Sequence, residues 1–163
     1  MITEKPIAVF ATDLFRVNSV ADEGSQPVPP DGRDLADFIV AGVRDEAAVL
    51  RGPVADDSLR LWAFVIGVTG AEYWVHVQCL PGQTRMPSGS PLPQGHAAWS
   101  VSVSKKGWRA ALKEALSAHR PSSETACALL HTTFVREPRL HELCWLSESA
   151  FQSWIRLGIS PGA

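Results

Sequence analysis

The stretch from Leu59 to Leu80 constrains the fold more than any other part of the chain, because apolar, β-branched and aromatic residues fill both of its halves. Between the halves, Thr69-Gly70-Ala71-Glu72 supplies the glycine that a short hairpin loop needs. The first half is apolar on both faces, which suits a central strand covered on both sides. In the second half, two sets of residues alternate: Tyr73, Val75, Val77 and Cys79 against Trp74, His76 and Gln78. The stretch therefore predicts a β-hairpin from which a sheet is built.

The rest of the chain divides into segments of helical and of alternating spacing. Helices are predicted over Arg33 to Arg51, over Lys106 to Arg120, over a run that Ser122 or Ser123 caps and Pro138 ends, and over a closing run after Ser147. Strands are predicted over Ala97 to Ser104 and over Leu140 to Leu146, although a helix is the competing interpretation of the second. The segment Pro6 to Val20 fits an edge strand or a helical turn, and both stay open. Stretches 22–32 and 81–95 are rich in proline and glycine and predict flexible loops.

The element order α-β-β-β-α-α-β-α predicts an α+β fold, with three to four helices on one face of a mainly antiparallel sheet of about four strands. A length of 163 residues suits one domain spanning 1–163. The three cysteines are an odd number, which is typical of reduced thiols, and the N-terminus lacks the features of a secretory signal. We therefore expect a cytoplasmic protein. A net charge of -2 and the lack of a long apolar run favour neither nucleic acid nor membrane as a partner, and no motif indicates a cofactor.

Four residues near the C-terminus have the side chains of a structural zinc site, since C-x3-H is followed by H-x2-C: Cys127, His131, His141 and Cys144. On two helices all four could converge. If the segment from Leu140 to Leu146 is a strand, His141 and Cys144 should point to opposite faces and the site cannot close. The alternative is that the cysteines are small apolar core residues and the histidines are partly exposed.

Nucleophilic catalysis would need an oriented residue pair, and the sequence offers only a loose one. His76 could meet Ser100, Ser102 or Ser104 if their strands are neighbours. However, there is no G-x-S-x-G turn and no obvious carboxylate partner, and alternating serines are typical of a solvent-facing strand. A cysteine nucleophile is no better supported, because Cys79 falls on the inward face of its strand. Catalysis is therefore the minority interpretation.

A binding surface has more support in the pattern. Trp74 and His76 on the outer side of the hairpin, facing serines on a neighbouring strand, would form an aromatic anchor within a polar rim. The alternative is that a helix covers Trp74. Acidic residues crowd the first part of the chain and offer a second surface, which could attract a basic partner: Asp31, Asp34, Asp37, Asp45 and Glu46.

Several short segments in their order along the chain resemble small bacterial α/β domains, some of which are immunity proteins of toxin systems. They are Asp34-Leu35, Leu61-Trp62-Ala63-Phe64, Tyr73-Trp74-Val75, Trp99-Ser100-Val101, Leu129-Leu130-His131 and Leu140-His141-Glu142-Leu143-Cys144-Trp145. The resemblance implies a non-enzymatic protein that neutralises a cognate toxin by direct binding. The element order is also close to that of small dimeric secretion chaperones, with an extra helix in place of a strand. The chaperone alternative stays open. A homodimer also stays open, and so does a small hydrolase or zinc-stabilised protein.

Overall fold

Six antiparallel strands form one sheet in the computed structural model, which describes residues 6–18, 28–106 and 123–158. The elements in chain order are β1 (Ile7–Thr12), α1 (Arg33–Val43), β2 (Ala48–Asp56), β3 (Leu61–Val68), β4 (Ala71–Leu80), β5 (Ala97–Lys105), α2 (Glu124–Val135), β6 (His141–Leu146) and α3 (Glu148–Gly158). The strand order across the sheet is β2-β3-β4-β5-β1-β6. No helix among these described residues is long and apolar enough to cross a membrane.

The strands β3 and β4 form the predicted hairpin, and the backbone conformation of its turn accounts for the glycine at position 70. Thr69 and Gly70 have φ angles of 49° and 79°, and two successive positive φ values are the signature of the turn that matches the twist of a hairpin. The predicted alternation is confirmed as well. Tyr73, Val75, Val77 and Cys79 are buried in the main core, and we call the side of the sheet that they line the inner face.

The inner face is covered by α1 and α2. Aromatic and aliphatic side chains from both layers are fully buried there: Phe10, Phe64, Ile66, Val75, Val77, Trp99, Leu35, Ile39, Leu130 and Phe134. The opposite side, which we call the outer face, has a smaller core where α3 and the segment 81–95 pack on β1 and β5: Ile7, Val9, Ala11, Leu80, Met86, Ala98 and Trp154. The remainder of the outer face, toward β2, carries the polar residues of β4 and β5.

The predicted α+β class matches the structure, but the predicted strand number and element order are wrong, because two strands were not recognised. All six residues of β1 are buried, so this strand shows no alternation by which to separate it from a helical turn. The strand β2 contains the last residues of the first predicted helix, up to Arg51, and part of the polar segment that follows it. Its pairing with β3 shifts register twice, and its exposed residues interrupt the pattern of a strand.

Two helix predictions also need correction. The first helix ends at Val43 instead of continuing to Arg51, and the chain turns into β2 through residues 44–47. The helices do not share one face, since α1 and α2 cover the inner face and α3 covers the outer face. The predicted helix from Lys106 to Arg120 lies outside the described residues, apart from Lys106 itself. The last two helices and the strand at 141–146 are as predicted. The Ser147 Oγ caps α3 as predicted, since it accepts a hydrogen bond from the Ala150 N–H at 3.2 Å. Ser123 is the N-cap residue of α2, but its side chain makes no capping hydrogen bond.

Gly42 allows α1 and α2 to approach closely. A Cβ atom at this position would lie 2.3 Å from Cγ2 of the buried Thr133 on α2. We expect Gly42→Ala to lower the free energy of unfolding by about 1–2 kcal/mol, since overpacking outweighs the gain in helix propensity. Chemical denaturation measures the change. Gly52→Ala, where a Cβ meets nothing within 4 Å, is the control and should change stability little. If Gly42→Ala costs as much in a Thr133→Ala background as alone, the helix contact is not the cause.

Candidate functional site

The outer face beside β2 carries the aromatic residue predicted as an anchor. Trp74 and His76 lie on β4 opposite Ser104 and Ser102 of β5, as the prediction requires. The indole and imidazole rings stack with centroids 6.0 Å apart and planes 22° apart. The Arg51 guanidinium from β2 lies 5.8 Å from the centre of the Trp74 ring, within the range of a cation–π contact. Trp74 thus contacts two neighbouring side chains while it remains only half-buried.

Exposed aliphatic side chains extend this surface to the sheet edge. Leu50 and Val54 of β2 are 51% and 49% exposed. Leu50 leans over Gly67 of β3, because a Cβ there would lie 3.2 Å from Leu50 Cδ1, and Val54 is paired with Ala63. Between the side chains of β2 and β4, Val65 of β3 is fully buried beside Arg51 and Trp74, and the smaller Ala63 and Gly67 lie on either side of it along the strand. We call the surface formed by Leu50, Arg51, Val54, Trp74 and His76 the outer-face patch.

His76 is not arranged as a catalytic base. Burial lowers the pKa of its imidazole, and the Asp56 carboxylate opposes this change, so neutral pH favours the uncharged ring. The Asp56 carboxylate accepts hydrogen bonds from the N–H groups of Ser58 and Leu59 and from the Ser58 hydroxyl, which fixes the turn between β2 and β3. Within the described part of the chain, no hydrogen bond joins His76 to Ser102 or to Asp56. The serine and carboxylate therefore lie nearby without orienting the ring.

Three of the predicted acidic residues come together at the start of α1. Asp31, Asp34 and Asp37 line a pocket of about 590 Å³ with Trp62, Arg16 and other residues of the loops around it. Asp34 is not the N-cap residue of α1, because that residue is Gly32, with a φ of 116°, and no side chain caps the helix.

The carboxylates in this pocket have structural partners. Asp34 Oδ2 accepts a hydrogen bond from the Arg16 N–H at 2.8 Å, and Asp31 Oδ1 accepts two from Asn18, at 3.0 and 2.8 Å. Asp37 forms an ion pair with Arg33 at 3.5 Å. These hydrogen bonds connect the segment after β1 to the start of α1. Together with the ion pair, they partly neutralise the negative charge of the pocket.

The seven predicted partner-binding residues do not form one surface. Asp45 and Glu46 follow the other end of α1, whose 11 residues span about 16 Å at a rise of 1.5 Å per residue. Trp74 and His76 lie across the sheet from α1, on the outer face. The acidic residues and the aromatic anchor therefore lie on different sides of the sheet, and each set would contact a partner from its own side.

The four zinc candidates are divided between the two sides of the sheet. Cys127 and His131 lie on α2, and the His131 Nδ1 accepts a hydrogen bond at 3.2 Å from Trp145 Nε1 on the inner side. Cys144 packs against the outer-face core, and the His141 ring contacts that of His96 at a tilt of 54°, with ring centroids 5.3 Å apart. Among the residues that the structure describes, no group of three or more His, Cys, Asp or Glu side chains could hold a metal ion.

The expectation that His141 and Cys144 point to opposite faces is wrong because β6 contains a bulge. Glu142 has a φ of 55°, and the register with β1 shifts at this point, so that His141 pairs with Ala11 and Cys144 with Val9. Ala11 and Val9 lie two residues apart and share the outer face. Beyond the bulge, Cys144, Trp145 and Leu146 pair regularly with β1.

A second cavity, which the sequence did not predict, lies between α2 and β6. It has a volume of about 310 Å³ and is lined by Pro6, Ser123, Glu124, Cys127, Ala128, His131 and Trp145. Burial raises the pKa of the Cys127 thiol to about 11, so this sulfur is protonated at neutral pH and is a poor nucleophile.

Searches of protein-family models, of curated proteins and of solved structures found no match to this chain.

Proposed function

We propose that the chain is a non-enzymatic protein-binding module of the immunity type, which neutralises a partner protein by covering its functional surface. The outer-face patch is the single observation that carries this proposal. It combines a preoriented aromatic side chain, two exposed aliphatic residues and an arginine, which is the composition of the energetic centre of many protein interfaces. Exposed apolar side chains that cluster in this way are typical of interaction sites.

The shape of the patch indicates how a partner side chain would bind. Val65 is fully buried between Ala63 and Gly67, because Arg51 of β2 and Trp74 of β4 lie on either side of it. An apolar side chain of the partner would therefore pack against the exposed parts of Leu50, Val54 and Trp74. Because Arg51 and His76 already hold the Trp74 ring, little side-chain entropy would be lost on binding.

The exposed acidic residues have a supporting role in this proposal. Asp37, Asp45 and Glu46 are exposed, whereas the carboxylates of Asp31 and Asp34 accept hydrogen bonds from backbone N–H groups. The three exposed carboxylates would attract a basic partner over a distance and would raise the association rate more than the final affinity. An association rate that does not change with salt concentration would exclude this role.

Trp74→Ala is the variant that tests the outer-face patch. A tagged chain captures its partner from the native source, and calorimetry then measures the dissociation constant with the purified partner. We expect Trp74→Ala to weaken binding about 30-fold or more, which corresponds to the loss of about 2 kcal/mol at an interface hot spot. Leu157→Ala on α3, where the side chain is 85% exposed and lies outside the patch, should bind like the wild type.

Unchanged binding by a folded Trp74→Ala protein would contradict the use of this patch. The nature of the captured partner separates the immunity and chaperone classes. A folded toxin that loses activity when bound supports the immunity class, whereas an extended segment of a secreted effector supports a chaperone. If no protein is captured, the proposed function fails.

A further inference from the structure

The two edges of the sheet differ in how well they can accept another strand. At the β2 edge, pairing with β3 shifts register on both sides of Arg51, and Pro53 within the strand has no N–H to donate. At the β6 edge, the stretch 144–146 pairs with β1 without a register shift after the bulge at Glu142. Among the described residues, β6 pairs only with β1, and none of them pairs with its other edge.

The helix beside the open edge presents an exposed stripe of small and apolar residues. Ala128, His131 and Val135 of α2 are exposed, Val135 by 58%, and their spacing of three and four residues places them on one side of the helix. The cavity lined by Cys127 and Trp145 lies between this stripe and β6. The stripe, the cavity and the strand edge therefore form one continuous surface, which we call the β6 seam.

We infer that the β6 seam binds a second copy of this chain, through antiparallel pairing of the two β6 strands about a two-fold axis. Such an axis brings like faces of the two sheets together, so that the two α2 helices would lie antiparallel over the joined strands. The three regular residues of β6 are too few for a stable interface by themselves. The α2 stripe and the lining of the cavity would add apolar area to the interface.

The α2 stripe is complementary to itself in this arrangement, which favours a second copy over an unrelated peptide. Antiparallel pairing about the middle of α2 places the small Ala128 of one copy opposite the His131 ring of the other, and the reverse contact follows from the symmetry. The stripe begins at the exposed acid Glu124, and the exposed base Arg136 follows the end of the helix. Unlike charges, and unlike ends of the two helix dipoles, are therefore brought together.

Sedimentation analysis over a range of protein concentrations tests the inference, with Ala128→Arg as the disrupting variant. We expect the wild-type chain to form a dimer and Ala128→Arg to raise its dissociation constant about a hundredfold, because two guanidinium groups would be forced close to the two-fold axis. Leu59→Arg, at an exposed site in the turn between β2 and β3, is the matched control and should leave the dimer intact. Circular dichroism confirms that both variants are folded.

Hydrogen exchange identifies the surface directly. Amide protection in 144–146 should increase with protein concentration in the wild type and should not do so in Ala128→Arg. A wild-type chain that stays monomeric at all concentrations would overturn the inference, and so would a dimer that Leu59→Arg disrupts and Ala128→Arg does not. Because neither variant changes Trp74, these results do not depend on those that test the outer-face patch.

Discussion

Replacing Trp99 with alanine is expected to lower the free energy of unfolding by about 3–5 kcal/mol, the largest effect that we predict for a single substitution. Trp99 is fully buried on β5 and is paired with Phe10 on one neighbouring strand and Cys79 on the other. Its ring also meets Phe15 edge-on, with centroids 5.8 Å apart. Truncation would leave a large cavity at a position where three strands and the segment after β1 meet. Chemical denaturation with fluorescence detection measures the loss.

Trp99→Phe is the matched control, and we expect it to change stability by less than about 1.5 kcal/mol. Among the described residues, the buried Trp99 Nε1 has no hydrogen-bond partner. Phenylalanine removes this unsatisfied donor, which offsets part of the lost ring contact. A cost for Trp99→Phe equal to that for Trp99→Ala would mean that the indole N–H has a role that packing does not explain.

Stability is expected to fall by about 3–5 kcal/mol between pH 8 and pH 11 because of two buried thiols. Burial raises the pKa of Cys79 to about 12 and that of Cys127 to about 11, from an ordinary value near 9. Above pH 9 the unfolded chain loses these protons while the folded chain keeps them. The folded state then binds more protons than the unfolded state, and stability decreases as pH rises until the folded pKa values are passed.

The double variant Cys79→Ala/Cys127→Ala isolates this contribution, because other groups that titrate in the same range remain. Its free energy of unfolding should fall by at least 2 kcal/mol less between pH 8 and pH 11 than that of the wild type. Denaturation curves at each pH, measured under reducing conditions, provide the comparison. Parallel pH profiles for the two proteins would show that the thiols ionise equally in the folded and unfolded states.

Sequence reasoning recognised strands by regular alternation, as in β4 and β5, or by a continuous apolar run before a turn, as in β3. In β4, the alternation of Val75 and Val77 with Trp74 and His76 follows directly from the two environments. The strand β1 is buried on both faces and β2 is an irregular edge, so neither has a period of two. Glycine and proline at positions 52 and 53 are typical of the end of a helix, but in the structure they lie within the edge strand β2.

The same distinction applies to the candidate sites. The position of Trp74 opposite serines could be predicted, because it needs only the alternation of two neighbouring strands. The partners of Asp31 and Asp34 could not, since they are backbone N–H groups 13 and 18 residues away along the chain. The cavity between α2 and β6 depends on how Trp145 and His131 meet across the tertiary structure. No spacing within either segment indicates that contact.

The unequal edges of the sheet also limit how far this protein can assemble. A fibre grows by strand pairing only if each added chain offers a receptive edge at both of its ends. Here the β2 edge is interrupted by register shifts and Pro53, and within the described residues β6 alone has a regular stretch at a sheet edge. Two chains joined at β6 would present β2 at both ends, so growth by strand addition would stop at two copies. The irregular edge strand would then limit assembly to the dimer.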